Sequence, residues 1–332
     1  MYPSIMIGNN VCYTTRIDPS HPEQPGEGDA THVSPTEAVF WSAEHRKGLV
    51  PTLLEDLMNQ RDEHKAQIKL ARKDEQVEKE EFHDSMQYAV KIMMNSFYGV
   101  FASGFYRFTH KDLGSSITAW ARQNIKTIIQ KLEEEGHHVV YSDTDSIFVC
   151  SPVPEGSPSV LKEDDDEETI AAYEAAKQAM IDFGLDIAKQ YSRDSAVLEY
   201  EKGLSVFFSH GAKKRYVGQV VYPSEEMLIR GYETQRTDSF EYLTTSMKKT
   251  FTYALADEGD ALVQHARECV AALKKHEVDA RRLILAKSCK GRVQSNGEVD
   301  FSKDYARPES MAQVRAAMIL IERGLGFTPG MK

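Results

Sequence analysis

The sequence predicts an α+β fold with antiparallel strands and separate helical lobes. Three observations carry that reading. Residues 48–105 hold two long stretches with helical apolar spacing, and residues 139–149 hold two short β-rich runs around a polar break. The last third of the chain, from about 239, is again helical in pattern and rich in Lys and Arg.

Taken in order, residues 1–47 run from an apolar opening strand (Tyr2-Pro3-Ser4-Ile5) into a loop punctuated by Pro19, Pro22, Pro25, Gly26, Gly28 and Pro35. Leu54, Leu57 and Met58 then form one stripe of a helix from Pro51 to about Lys73. Arg61 and Lys65, spaced i and i+4, give that helix a basic face. A charged turn near Lys73–Glu80 leads to a second, antiparallel helix. On it Lys91, Asn95 and Tyr98 recur at i, i+4 and i+7 and so share one side. A cation, an amide and a phenol together suit a triphosphate and a base or sugar. Alternatively Lys91 is a solvated charge and Tyr98 belongs to the core. Ile92 and Met93 point elsewhere and are free to pack. Two basic helical faces would clamp a polyphosphate.

A helix is expected around Ser115–Glu135, followed by the most informative stretch, Tyr141-Ser142-Asp143-Thr144-Asp145-Ser146. Val139, Val140 and Tyr141 before it and Ile147, Phe148 and Val149 after it read as a tight β-hairpin. Asp143 and Asp145 would crowd at its tip, which is costly unless a cation neutralises them. Mg²⁺ favours carboxylate oxygens and leaves room for substrate phosphates. An Asp-rich turn with no metal is the alternative, since Asp and Ser are common turn residues. A helix near Ala171–Ser192 and strands near 196–222 follow, then the helical, basic region 239–332.

In order along the chain, these motifs resemble the catalytic core of a family B DNA-directed DNA polymerase. Tyr2-Pro3-Ser4-Ile5 is similar to the end of that family's first metal-binding motif. Lys91–Gly99 is similar to its Lys-x-x-x-Asn-Ser-x-Tyr-Gly segment. Tyr141–Ser146 is similar to Tyr-Gly-Asp-Thr-Asp-Ser, with Ser142 in place of glycine, and Lys213-Lys214-Arg215-Tyr216 to the segment that contacts the primer-template duplex. Leu198-Glu199-Tyr200-Glu201, Arg230-Gly231-Tyr232-Glu233 with Arg236 and Asp238, and Gly326-Phe327-Thr328-Pro329-Gly330 extend the likeness over almost the whole chain. The wording between the motifs is closer to archaeal than to bacterial or viral members.

The resemblance implies a right-hand architecture: palm (1–47), two-helix fingers (48–105), palm with the carboxylate hairpin (106–238) and an incomplete thumb (239–332). It implies template-directed DNA synthesis, with two Mg²⁺ ions roughly 3.5–4 Å apart at the attacking and leaving oxygens. Asp143 and Asp145 would ligate metal. Glu199 and Glu201 either add further acids or are solvated charges alternating on a strand. Arg61, Lys65 and Lys91 would neutralise the incoming triphosphate and Asn95 would orient it. Tyr2 would lie under the sugar, Tyr98 beside the nascent pair, and Lys213, Lys214, Arg215 and Tyr216 on the duplex backbone. The family's first aspartate precedes Tyr2 by five residues and is not encoded in this sequence. The chain therefore reads as a module cut at both ends, or one part of a split enzyme with a second polypeptide carrying that aspartate and an exonuclease domain. A sliding clamp would dock through a further C-terminal region. Pro329-Gly330-Met331-Lys332 reads as the start of a strand. The rival reading is a non-catalytic DNA-binding or scaffold fragment of a polymerase. A reverse transcriptase is disfavoured, because there the paired aspartates are adjacent.

Composition agrees with a soluble globular protein of 332 residues, 41% apolar and 27% charged. Without an apolar run long enough to cross a bilayer or a secretory leader, a cytoplasmic, nucleoid-associated location is expected. Cys12, Cys150, Cys269 and Cys289 lack CxxC spacing, which suggests reduced thiols. The net charge of −11 is unusual for a DNA-binding chain. It is offset by distribution: the six acids of Glu163–Glu168 form what is expected to be a solvated loop, whereas Ala271–Arg292 holds seven Lys/Arg against two acids.

Overall fold

The computed structural model describes residues 1–20, 24–26, 28–192, 197–236 and 238–331. Pro22 of the expected loop, position 196 where strands were expected to begin, and Lys332 lie outside the described residues. The chain divides into two compact units, residues 1–155 with 178–201 and residues 156–177 with 202–332. Among the described residues, no helix is long and apolar enough to cross a membrane.

The first unit opens with α1 (Tyr2–Gly8) where a strand was expected. Proline is tolerated in a first helical turn, where its missing N–H leaves no bond unmade, so Pro3 does not oppose a helix. Ile5 and Met6 are buried on the face that α1 turns to the helices that follow. A small antiparallel sheet of β1 (Arg16–Ile17), β2 (Thr31–Val33) and β3 (Val39–Trp41), in the order β1-β3-β2, lies between α1 and the helical hairpin in sequence.

That hairpin is α2 (Leu49–Lys73) and α3 (Val77–Ala102), reversing through residues 74–76 with Glu75 at φ 55°. Side chains fix its register. Arg61 Nε donates to Gln87 Oε1 at 3.3 Å, the His64 and His83 Nδ1 atoms meet at 2.9 Å, and Arg72 Nε donates to Glu80 Oε1 at 2.5 Å near the turn. Leu54, Leu57, Val90, Met94 and Phe101 form the core with α1 and with Leu113, Ile117 and Trp120 of α4 (Lys111–Glu134). Ile92 and Met93, expected to pack, are instead 53% and 52% exposed. The helical period puts Val90, Met94 and Phe101 on the inner face and carries those two outward.

A buried asparagine joins these parts. Asn10, at φ 50°, donates through Nδ2 to the carbonyls of Trp41 (2.7 Å) and Arg46 (2.8 Å). Its Oδ1 accepts from the Gly48 N–H at the N-cap of α2 at 2.9 Å, and its carbonyl accepts from the Thr15 hydroxyl. All of its polar groups are thus satisfied within the fold, so Asn10 locks the end of α1 to the start of α2.

The hairpin β4 (Val139–Asp143) and β5 (Ser146–Val149) follows α4. The long helix α5 (Glu167–Tyr191) contributes its later part to this unit. Of the acidic run, Glu167 and Glu168 are not loop but the first turn of α5, where the helix dipole favours negative charge.

In the second unit β6 (Gly203–Phe208), β7 (Tyr216–Tyr222) and β8 (Glu226–Arg230) form an antiparallel meander. Val217, Ile229 and Tyr232 pack with Phe251 and Leu255 of α6 (Glu241–Leu255). α7 (Gly259–Lys274) follows, then an irregular stretch carrying the short ribbon β9 (Arg292–Val293) and β10 (Val299–Asp300), and α8 (Ala312–Glu322). Cys289, Phe301, Val314 and Ala317 make a separate small core. The single antiparallel sheet expected to carry the acids is thus not one ladder: β4–β5 and β6–β7–β8 are separate sheets. Residues 197–202, within the stretch where strands were expected, lack regular structure. Residues 329–331, where the start of a strand was expected, form a turn closed by the Met331 N–H on the Thr328 carbonyl, with Gly330 at φ 88°.

Candidate active site

Only two residues, Thr144 and Asp145, connect β4 to β5, whose last pair is Asp143 with Ser146. The Asp145 N–H donates to the Asp143 carbonyl at 2.6 Å, which closes a three-residue turn around Thr144. Thr144 takes φ 53°. A β-branched residue in the left-handed region is strained, and such strain clusters at functional sites. Two hydroxyls brace the turn: Thr144 Oγ1 donates to Asp143 Oδ1 (3.0 Å) and Ser146 Oγ to the Asp143 carbonyl (3.1 Å). Behind the tip the Tyr141 and Phe148 rings meet edge to face at 5.4 Å. The result is two carboxylates one residue apart on a rigid tip, Asp143 half-buried and Asp145 exposed.

Electrostatics bring other predicted residues to the same place. The amine of Met1, at the start of α1, has its pKa lowered chiefly by burial; the charge of Asp145 opposes that shift and the charge of Arg61 reinforces it. The charges of Asp145 on the hairpin and of Arg61 on α2 thus each reach the head of α1. Arg61 is hydrogen-bonded to Gln87, one turn before Lys91 on the same face of α3. Lys91 and Asn95 are exposed, and Lys65 is half-buried on α2. Tyr2 and Tyr98 touch, with ring centroids 4.5 Å apart and planes at 38°. Both border the core that α1, α2, α3 and α4 share.

Asp143 and Asp145 offer hard oxygen donors of the kind Mg²⁺ takes alongside water and phosphate oxygens. Among the described residues, no group of three or more Asp, Glu, His or Cys converges as a cage. These two acids therefore fit a divalent cation as a partial ligand set. Glu199 and Glu201 stand exposed on irregular chain rather than on a strand. Between them Tyr200 lies against Gly184 of α5, where an added Cβ would come within 2.3 Å of its ring.

The segment Lys213–Tyr216 lies in the second unit, in the loop from β6 to the first residue of β7. Lys213 and Lys214 are exposed at its tip, with Lys214 at φ 64°. Arg215 turns back: its Nη2 donates to Glu233 Oε1 at 3.1 Å, and its guanidinium lies 5.9 Å from the Tyr232 ring centroid. Gly231, at φ 72°, lets the loop close, because a Cβ there would lie 1.9 Å from the Lys214 carbonyl oxygen. The motif Arg230–Glu233 is thus the floor beneath the basic loop. Tyr216 packs its ring on Phe207 at 5.6 Å.

Asn10, Gln87 and Thr144 position this machinery without having been singled out from sequence. Only the paired Asn9-Asn10 after an apolar run hinted at a cap, and nothing local marked Gln87 as the partner of Arg61.

A profile of DNA polymerase family B matches residues 1–300. The chain is 30% identical over 305 residues to the DNA polymerase delta catalytic subunit of Mesocricetus auratus, covering 86% of this chain and 25% of that protein. It is 27% identical to DNA polymerase 2 of Aeropyrum pernix over all of this chain and 36% of the relative. With the DNA polymerase of Thermococcus gorgonarius it shares 29% identity over 99% of its own length and 37% of that protein's. The fold superposes on the family B DNA polymerase of the archaeon Pyrobaculum calidifontis with a TM-score of 0.62 at 22% identity, covering 100% of this chain and 37% of the other. The chain thus spans between a quarter and somewhat over a third of these relatives.

Proposed function

Since the chain belongs to DNA polymerase family B, we propose that it carries the nucleotide-adding site of a DNA-directed DNA polymerase. The observation that carries this reading is at the head of α1, where the charges of Asp145 and Arg61 both reach and where the Tyr2 ring touches Tyr98. An acid pair, a cationic helical face and an aromatic floor are what joining a deoxynucleoside triphosphate to a primer 3′-hydroxyl requires.

In this reading α2 and α3 are the fingers, the β4–β5 hairpin with α1 belongs to the palm, and residues 239–332 are part of a thumb. Asp143 and Asp145 would hold Mg²⁺, two ions in the fullest form, and bound metal would supply positive charge at the attacking and leaving oxygens. Arg61, Lys65 and Lys91 bind the triphosphate, each phosphate contact being a charge-assisted hydrogen bond. Asn95 orients it. Tyr98 and Tyr2 present ring faces to the nascent pair and the sugar, and at Tyr2 the ring leaves no room for a 2′-hydroxyl. Lys213 and Lys214 hold the duplex through phosphates, which gives position without sequence readout. Glu199 and Glu201 are assigned no ligand role, being exposed on irregular chain.

The test separates nucleotide from DNA. Lys91 is exposed and bears no core contact, so Lys91→Ala should fold normally. It should raise the KM for the incoming nucleotide by about tenfold or more, the size expected for one lost charged hydrogen bond, and leave primer-template affinity within about twofold. Lys214→Ala should do the reverse. Equal losses of both affinities in either variant would take these residues out of the assigned roles.

A further inference from the structure

Residues 103–110, between α3 and α4, display three exposed aromatic side chains just beyond Tyr98. Phe105 is 90% exposed, Phe108 63% and Tyr106 51%. This is not a frayed segment. The Tyr106 N–H donates to the Ser103 carbonyl at 3.2 Å and the Thr109 N–H to the Tyr106 carbonyl at 3.3 Å, making two successive turns. The Thr109 hydroxyl has the carbonyls of Val100, Ser103 and Tyr106 within reach as alternative acceptors for its one proton, and the His110 N–H closes onto the Phe101 carbonyl at 3.1 Å. A well-bonded loop is therefore built so that its rings face solvent, and Phe105 and Tyr106 stand edge to face at 5.7 Å.

Charge narrows what these rings would meet. Arg107 lies 5.9 Å over the Phe108 ring, Lys111 follows at the start of α4, and residues 99–111 contain no Asp or Glu in a chain of net charge −11. Exposed rings interleaved with cations are what single-stranded nucleic acid uses, its bases stacking on the rings and its phosphates meeting the cations. The loop begins one turn of helix beyond Tyr98 and is anchored to that turn through Val100 and Phe101.

We infer that this loop is a stacking platform for the unpaired template strand, with Phe105 and Phe108 as the base-stacking rings and Arg107 and Lys111 as the phosphate contacts. The inference rests on the polymerase reading and adds to it a site for the strand not yet copied.

Binding is measured by fluorescence anisotropy on two DNAs with the same duplex, one blunt and one with a 5′ template overhang of roughly ten nucleotides, within the usual span of a stacking site. The unaltered chain should bind the overhang DNA more tightly. Phe105→Ala with Phe108→Ala should remove that preference, a loss of about twenty-five-fold or more at no less than about fivefold per ring, with blunt-duplex affinity unchanged. Phe105→Trp with Phe108→Trp should retain it. If the chain shows no overhang preference, or the alanine pair keeps it, the platform is overturned while the polymerase reading stands. Failure to bind either DNA would overturn both.

Discussion

Asp145→Ala is expected to lower nucleotide incorporation by about a thousandfold or more in any form of the protein that extends primers. Such a factor corresponds to several kcal/mol of transition-state charge stabilisation. The expectation follows from geometry. Asp145 is exposed in the two-residue connection of the hairpin, and its charge is felt at the head of α1 together with that of Arg61. Asp143 also accepts the Thr144 hydroxyl, so it is partly committed to holding the turn. Removing Asp145 takes a hard oxygen donor from the point where phosphate and metal charge must be balanced, while the residue itself bears no packing. The folded state and primer-template affinity should therefore persist, the latter within about twofold. Single-turnover extension with excess Mg²⁺ is the measurement. Extension within a few fold of the unaltered protein would exclude Asp145 from the reacting centre.

The second large effect is structural. Gly231→Ala places a Cβ 1.9 Å from the Lys214 carbonyl oxygen and 2.8 Å from its carbon, at a backbone φ of 72°. Both obstacles are backbone, so no side chain can rotate away. Left-handed backbone alone costs an L-residue roughly 1–2 kcal/mol. Parting two strands of a meander adds to it, for a destabilisation of about 3 kcal/mol or more. The thermal midpoint should fall by several degrees, and affinity for duplex DNA should drop at least as far as in Lys214→Ala, because the whole tip moves. Calorimetry together with a DNA titration checks both. A midpoint unchanged within a degree would show that β7 and β8 separate freely there.

What could be read from sequence divides along physical lines. The helices α2 and α3 were legible because long amphipathic periods determine a helix locally, and the acid hairpin because β-branched runs flank a polar break. α1 was not: a short apolar run opening with Tyr-Pro suits strand or helix, and only burial against three other helices decides it. The same holds for Ile92 and Met93, whose exposure depends on which face of α3 meets α4. The Thr144 conformation runs against its own propensity, so no local rule would give it. Contacts such as Arg61 with Gln87, Arg215 with Glu233, or Asn10 with the start of α2 join positions far apart in sequence and appear only once the chain has folded.

The pairing of Arg215 with Glu233 has a consequence for how the basic loop would meet DNA. A guanidinium already neutralised by a neighbouring carboxylate displaces few of the cations condensed on a polyanion. Of the three positive charges in the segment, the two exposed lysines would contribute most to counterion release. Each phosphate neutralised contributes roughly 0.9 to the slope of log affinity against log salt. Changing Lys213 and Lys214 together to alanine should thus flatten that slope by about 1.8, and Glu233→Gln, which frees the arginine, should steepen it.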